Sequence, residues 1–429
     1  MKAKIIFFFA VLLLVSSCND NETPTLELHT PQQVDNTIVL NWKQTTVSGF
    51  EYYVVMRASD RQNYTVINDI STPTSDAFHK EITVFEDRTY PLTVDTLYYK
   101  IMAIGDETVL SRNICYAVEN PAKLLKGDFF DMYYLEETDQ ISVLSYNYGY
   151  GDRYKLKVFD VKTGQFSPNE ASIYTLNSGR YFWGKYNGIT EFYNYDYNMT
   201  LLSVYDASTA QQITTLQVPG YSWYGAAYAT NNRGEIYMFN YDNLYIIDRT
   251  TGTQTSYFSI NSFDSDKLYY NSKDNKLYAV SYNRILTFNL DEASQVVGED
   301  IYQLDNGYST PLYIENSSLF VVETSSVIKI LDMNTKTYHN TELTQMPRIA
   351  LLKNNIIYAS DNSSRGIISI GDNYYPQPTI NLLSADNFKR IKTIPVRVTP
   401  AKMVANNEYL YLLGQYGYEL YLLEKIKLY

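Results

Sequence analysis

The fold is decided by residues 156–165, LKVFDVKTGQ, an apolar strand that ends in an aspartate and a polar turn. The same pattern recurs six more times along the chain. The other copies are LLSVYDASTAQ (201–211), LYIIDRTTGT (244–253), LTFNLDEASQ (286–295), IKILDMNTKT (328–337), INLLSADNFK (380–389) and LYLLEKIKLY (420–429). Their aligned acidic or serine positions lie 40 to 52 residues apart. A period of that length, with several strands per unit, predicts a β-propeller of seven blades.

One position is acidic or a serine in all seven copies, directly before the polar turn. Such a side chain can accept hydrogen bonds from backbone amides two residues further along, which stabilises a hairpin. We therefore predict that the aspartates at this position cap the hairpin between the third and fourth strands of their blades. The aligned residues are Asp160, Asp206, Asp248, Asp291, Asp332, Ser384 and Glu424.

The seventh copy stops after a third strand, at Tyr429. The stretch AKLLKG at 122–127, directly before the first blade, is predicted to supply the missing outer strand. That pairing would close the ring and remove its open sheet edges. In pattern the repeats resemble the seven-bladed propellers of the YVTN and NHL repeat families, although WD dipeptides and kelch double glycines are missing.

Residues 25–120 contain seven short strand-like runs separated by polar turns. Seven strands in a segment of this length are typical of an immunoglobulin-like sandwich. The segment resembles a fibronectin type III domain in three places: Trp42 on the second strand, the run 53–57 on the third and YKIMA at 99–103 on the sixth. It departs from that family at Leu97, where the family usually has a tyrosine.

Together these patterns predict an all-β chain, with a fibronectin III-like β-sandwich at residues 25–120 followed by a seven-bladed β-propeller at 121–429. Within the sandwich we expect Trp42 to be a core residue. We expect Cys115, which lies among apolar neighbours on the last strand, to be a buried and inert thiol.

The N-terminal segment is predicted to be a lipoprotein signal peptide. Lys2 and Lys4 precede an unbroken apolar run at 5–15, which is too short to span a bilayer as a helix. The following VSSC at 15–18 resembles a lipobox, in which small residues precede a cysteine that is lipidated after cleavage. Residues 1–17 are thus the predicted signal peptide and Cys18 the lipid attachment site.

Residues 18–24 are predicted to be an acidic, lipid-anchored tether. The run NDNE at 19–22 is similar to the surface-export signal of Bacteroidota lipoproteins. More than one acyl chain anchors a protein stably. The sequence therefore predicts an outer-membrane protein that is exposed at the cell surface and touches the membrane only through its lipid anchor.

Tyrosine is the outlier of the composition, at 44 of 429 residues. Many tyrosines and Trp223 fall in the links between blades and in the links between second and third strands, and both kinds of link lie on one face. Trp183 is expected on the inner strand of the second blade. Clustered aromatic rings suit stacking on sugars and equally suit protein interfaces, so we predict a binding face there. The predicted binding residues are Tyr146, Tyr148, Tyr150, Tyr193, Tyr195, Tyr197, Tyr221, Trp223, Tyr224, Tyr308, Tyr416, Tyr418 and Trp183. Of these, Trp183 is placed either along the central channel or between blades.

No catalytic residues, metal ligands or cofactors are predicted. The three histidines are too scattered to form a metal site, and G-x-S-x-G and phosphate-binding glycine motifs are missing. A formal net charge of −12 without basic clusters argues against nucleic acid as a partner. Paired carboxylates in the propeller channel stay open as a glycosidase alternative.

The sequence therefore favours a non-catalytic surface lipoprotein that captures a glycan or peptide nutrient, or contacts a protein, through its aromatic face. The resemblance to Bacteroidota lipoproteins implies an accessory role beside a TonB-dependent importer and its surface lipoprotein. Two alternatives remain: a scaffold docked permanently on an importer, and a polysaccharide-active enzyme that uses channel carboxylates.

Overall fold

The computed structural model describes the chain from residue 26 to residue 428, with gaps. The described residues are 26–34, 37–90, 94, 96–118, 123–146, 154–173, 181–196, 200–218, 227–240, 243–260, 263, 265, 267–304, 310–315, 317–325, 327–360, 378–417 and 420–428. The chain divides between residues 122 and 123 into two units.

The first unit contains two antiparallel sheets. Its strands are β1 (Gln32–Val34), β2 (Thr37–Asn41), β3 (Tyr52–Ala58), β4 (Thr65–Val66), β5 (Val84–Asp87), β6 (Thr96–Ile104), β7 (Thr108–Leu110) and β8 (Ile114–Ala117), with one turn of 3-10 helix at Asp76–Phe78. One sheet has the order β1-β2-β5 and the other the order β4-β3-β6-β7, with β8 also paired to β6. Its identity as a fibronectin type III domain stays a prediction.

Side chains from the two sheets meet in a common core. The rings of Trp42 and Tyr53 are 5.3 Å apart in an edge contact, and Trp42 is only 5% exposed. Arg57 of β3 forms an ion pair with the buried carboxylate of Asp87 of β5 at 2.7 Å, and the hydroxyl of Tyr99 donates to the same carboxylate. The predicted core position of Trp42 is confirmed.

The predicted burial of Cys115 is wrong, because the thiol-bearing side chain is exposed. Side chains alternate between the two faces of a strand. In β8 the half-buried positions are Ile114 and Tyr116, so Cys115 and Ala117 point outward. Apolar neighbours in the sequence therefore did not indicate which face of β8 the cysteine occupies.

The second unit consists of seven four-stranded antiparallel sheets, which confirms the predicted propeller. Blades one to three are β10 (Asp128–Leu135), β11 (Gln140–Tyr146), β12 (Tyr154–Asp160), β13 (Gln165–Ile173); β14 (Tyr181–Tyr186), β15 (Ile189–Asp196), β16 (Leu201–Asp206), β17 (Gln211–Gln217); and β18 (Ala227–Thr230), β19 (Glu235–Asn240), β20 (Asn243–Asp248), β21 (Gln254–Ser259). Blades four to six are β22 (Lys267–Asn271), β23 (Lys276–Ser281), β24 (Arg284–Leu290), β25 (Val296–Gln303); β26 (Leu312–Tyr313), β27 (Leu319–Thr324), β28 (Val327–Asp332), β29 (Thr337–Asn340); and β30 (Ala350–Lys353), β31 (Ile356–Ser360), β32 (Thr379–Ser384), β33 (Arg390–Pro395).

Blade seven combines the two ends of the propeller sequence. It consists of β34 (Lys402–Ala405), β35 (Tyr409–Gly417) and β36 (Leu420–Lys427), and its outer strand is β9 (Lys123–Lys126). The register pairs Leu420 with Lys126 and Tyr421 with Leu125. The predicted closure by AKLLKG is confirmed. Buried apolar clusters fill all seven interfaces between neighbouring blades, including the interface between blades seven and one.

The predicted aspartate caps are confirmed by their hydrogen bonds. The carboxylate of Asp160, for example, accepts from the amides of Lys162 and Thr163 at 2.8 Å each, and these bonds lower its pKa. The amide two residues further along donates in the same way to Asp206, Asp248 and Asp332, and to Ser384 of the sixth copy. Asp291 instead accepts a hydrogen bond from the amide of Gln295, four residues further along.

Glu424, the aligned residue of the seventh copy, does not lie at a turn. Strand β36 continues to Lys427, which pairs with Tyr409, so Glu424 lies within the strand. Its side chain is fully buried and its carboxylate accepts a hydrogen bond from the amide of Arg397. The final repeat is therefore shifted in register relative to the other six.

Candidate functional site

The inner strands of all seven blades surround a central cavity of about 580 Å³. That volume lies within the range of roughly 300–1,000 Å³ that is typical of small-molecule sites. Its wall combines aromatic rings with six charged side chains, among them Asp131, Glu315 and Lys402. We call this cavity the channel site.

Aromatic rings form much of the wall of the channel site. The rings of Tyr133 and Trp183 are stacked at 5.9 Å, and Tyr181 makes an edge contact with Trp183 at 5.6 Å. On blades four and five, Tyr269 and Tyr313 are stacked at 4.4 Å. The Nε1 atom of Trp183 is buried and has no hydrogen-bond partner among the residues that the structure describes. Trp183 thus lines the channel and also packs against the inner strand of blade one.

Two ion pairs involve four of the six charged side chains of the wall, whereas Glu315 and Lys353 form none with the residues that the structure describes. The Nζ atom of Lys402 lies 3.0 Å from the carboxylate of Asp131, whose other oxygen accepts a hydrogen bond from the hydroxyl of Tyr181. Burial, followed by the neighbouring Asp131 carboxylate, raises the pKa of Tyr181 well above its usual value. The second pair joins Lys185 and Glu136 at 2.6 Å, and the hydrogen bond from Lys185 lowers the pKa of Glu136.

Glu315 is the carboxylate of the wall whose pKa is raised. It follows strand β26 and pairs through its backbone with Leu351 of the neighbouring blade. Its side chain is exposed by accessible surface and lines the central cavity. Desolvation raises the pKa of Glu315 to about 7, with Lys402 opposing and Asp131 adding to the shift. Both protonation states of Glu315 are therefore populated near neutral pH.

Two of the predicted binding residues, Tyr193 and Tyr195, lie in the core instead, which corrects their predicted role. Each is 1% exposed, within the apolar cluster between blades two and three. The hydroxyl of Tyr193 donates to the carboxylate of Glu191. Both tyrosines occupy the same face of the second strand β15, and blade three covers that face.

Of the remaining predicted binding residues, the structure describes Tyr146 and the backbone of Tyr416. Tyr146, at the end of β11, is half-buried and its ring contacts that of Tyr154 at 5.0 Å. Tyr416 belongs to strand β35, of which the structure describes the backbone at that position. The other predictions, with Cys18, lie outside the described residues: Tyr148, Tyr150, Tyr197, Tyr221, Trp223, Tyr224, Tyr308 and Tyr418.

Sequence reasoning did not single out Asp131, Glu315 or Lys402. A usable signal existed in blade one, where Asp131 interrupts the aromatic run FFDMYY at 129–134. A charged residue within an otherwise apolar inner strand favours a position on the channel wall, since the other face of that strand is covered by a neighbouring blade.

Within the described ranges, no group of three or more His, Cys, Asp or Glu side chains is arranged to hold a metal ion. The same ranges contain no helix long and apolar enough to cross a membrane.

Comparisons with known proteins do not assign this chain to a family. No protein-family model matches the sequence. No curated protein matches it either. Among solved structures, the chain is similar to the crystal structure of BamB from Moraxella catarrhalis, with 11% sequence identity and a TM-score of 0.43. The match covers 78% of this chain and 94% of that one. The propeller assignment rests on the seven four-stranded sheets and the closure by β9.

Proposed function

We propose that this chain is a non-catalytic binding protein of the outer-membrane surface, anchored by lipid at Cys18. Its propeller captures a glycan or peptide nutrient at the channel site and through the aromatic loops, as an accessory of a TonB-dependent importer and its surface lipoprotein. The fibronectin III-like sandwich joins the anchor to the propeller sequence. The observation that carries the binding function is the cavity itself, which combines stacked aromatic rings with both ion-paired and unpaired charged side chains.

Ligand binding is expected to change the fluorescence of Trp183, because this indole lines the cavity. Titration of the full chain with mixtures of neutral oligosaccharides or short peptides at millimolar concentration should change the emission. Trp183→Ala should lose at least about tenfold in affinity, equivalent to about 1.4 kcal/mol. The matched control is Trp42→Phe, which alters the core of the other unit. A change in emission that survives in Trp183→Ala would exclude the channel site as its source.

The lipid anchor is expected to determine where the chain is found. In a producing bacterium grown with a labelled fatty acid, the wild-type chain should carry the label and sediment with membranes. Cys18→Ala should carry no label, since the thiol is the predicted attachment point. An unlabelled wild-type chain would contradict the proposed anchor.

A polysaccharide-active enzyme is the second candidate, and one observation favours it. Glu315, with a pKa raised to about 7, and the ion-paired Asp131 line the same cavity. Glycosidases typically use two carboxyl groups whose different environments give them different pKa values. New reducing ends from incubated polysaccharide, abolished in Asp131→Asn, would establish this candidate. Unaltered polysaccharide in a preparation that binds it would favour the binding protein. The scaffold alternative predicts co-purification with an outer-membrane barrel without any soluble ligand.

A further inference from the structure

The channel site contains one acidic and one basic side chain that are left over from its ion pairs. Lys402 pairs with Asp131 at 3.0 Å, and Lys185 pairs with Glu136 at 2.6 Å. These contacts engage four of the six charged side chains of the wall. The two others form no ion pair with any residue that the structure describes, and they are Glu315 and Lys353.

Glu315 and Lys353 belong to one stretch of the wall. Glu315 forms a parallel bridge with Leu351 of strand β30, and its carbonyl accepts a hydrogen bond from the amide of Leu352 at 3.2 Å. Lys353 is the next and last residue of β30. Glu315 is exposed and Lys353 is half-buried, and both line the cavity. A ligand in the cavity can therefore reach a carboxylate and an ammonium group that have no ion partner.

The charges of the wall favour a ligand that carries both signs. The wall has three acidic and three basic side chains, so their formal charges cancel. An anion or a cation bound there would add a net charge to a partly dehydrated cavity, which is costly. A neutral sugar would displace water from Glu315 and Lys353 without giving either an opposite charge. A zwitterion gives each side chain an opposite charge, and such charge-assisted hydrogen bonds are stronger than those between neutral groups.

The spacing of the two side chains suits a peptide of about two residues. A strand rises about 3.3 Å per residue, so Lys353 lies roughly 7 Å along β30 from Leu351, the position that pairs with Glu315. An extended dipeptide spans about 7 Å. The half-buried rings of Tyr133 and Tyr269 line the same cavity and offer apolar faces to the side chains of a peptide. Such rings suit a sugar equally well, so the charges decide between the two ligands.

We propose that the channel site binds a short peptide with both termini free, whose carboxylate pairs with Lys353 and whose ammonium group pairs with Glu315. This inference rests on the binding function proposed above and specifies its ligand. Because the pKa of Glu315 is about 7, both forms of its carboxyl group are populated near neutral pH. An ammonium group beside the carboxyl group favours the ionised form, which is the form that the ion pair requires.

The test removes charges from the ligand and from the protein in a cycle. Calorimetry measures the affinity of the full chain for dialanine and alanyl-tyrosine, for their N-acetyl forms, which lack the ammonium group, and for their C-terminal amides, which lack the carboxylate. On the wild type, each blocked form should bind at least about tenfold more weakly than the free dipeptide. On Glu315→Gln the acetylation should cause little further loss, and on Lys353→Met the amidation should cause little further loss, because the partner is already missing.

The matched control variant is Lys267→Met. Lys267 is an exposed residue of the inner strand β22 and is not among the residues that line the cavity. This variant should bind the free and blocked dipeptides as the wild type does. Thermal unfolding of each variant, equal to that of the wild type, verifies that the propeller is intact. The comparison of free with blocked dipeptides on the wild type decides the inference even where a variant fails to fold.

The outcomes separate this inference from the binding function on which it rests. Equal binding of free and blocked dipeptides would overturn the inference, and so would losses that persist unchanged in Glu315→Gln and Lys353→Met. Binding of a mixture of neutral oligosaccharides, but of neither dipeptide, would also overturn it and leave the binding function standing. Binding of neither class at millimolar concentration would overturn both proposals.

Discussion

Replacement of Arg249 by methionine is expected to lower the free energy of unfolding of the propeller by about 3–5 kcal/mol. The guanidinium group donates two hydrogen bonds of 2.7 Å to the carboxylate of Glu191, across the interface of blades two and three. The side chains are 5% and 4% exposed. Removing the cation leaves Glu191 as an uncompensated buried charge, which is the costly part of the change. Denaturant unfolding followed by circular dichroism measures the difference.

Two controls separate the buried charge from ordinary loss of packing. Glu191→Gln combined with Arg249→Met removes both charges and should recover a large part of the loss. Lys336→Met breaks the exposed pair of Lys336 with Asp300 and should cost less than about 1 kcal/mol. If Arg249→Met and Lys336→Met had equal effects, the buried pair would not be a major contributor to the stability of this interface.

The second large effect is expected at the ring closure. Leu125→Asp should lower the free energy of unfolding by about 3–5 kcal/mol, because it removes a buried leucine and buries a charge without a partner. Leu125 is 3% exposed and packs in the cluster between blades seven and one, and its strand completes blade seven. Loss of that strand also exposes an unpaired sheet edge, so aggregation on heating should increase. Calorimetry and light scattering measure the two effects.

The matched control for Leu125→Asp is the same change at the next position of the strand. Lys126 is exposed and pairs with Leu420, so Lys126→Asp should change the stability by no more than about 0.5 kcal/mol. Equal destabilisation by the two variants would contradict the closure of blade seven by β9.

Much of the propeller was predictable because its signals are repeated. The cap aspartates recur at nearly constant spacing, and AKLLKG was the stretch available to complete the seventh blade. The misplacement of Glu424 also comes from the repeat pattern. The seventh copy was aligned on its acidic residue, whereas its third strand continues three residues beyond that residue, to Lys427. Strand register depends on pairing partners that a repeat pattern does not contain.

The candidate site was less predictable, because exposure depends on which neighbour covers each strand face. Tyr193 and Tyr195 have the residue type of a binding surface, yet blade three buries them. Cys115 is the opposite case. Its apolar neighbours in the sequence predicted burial, yet its side chain lies on the exposed face of β8. The channel wall combines residues from seven distant strands, and only closure of the ring brings Asp131, Glu315 and Lys402 together.

The central claim is that the channel site holds a small ligand without transforming it. Native mass spectrometry of the full chain, mixed with neutral oligosaccharides or with short peptides, tests this directly. The expected result is one bound molecule of unaltered mass on the wild type and a much smaller bound fraction on Trp183→Ala. Failure of every panel member to bind the wild type, equal binding to Trp183→Ala, or recovery of cleaved fragments would contradict the claim.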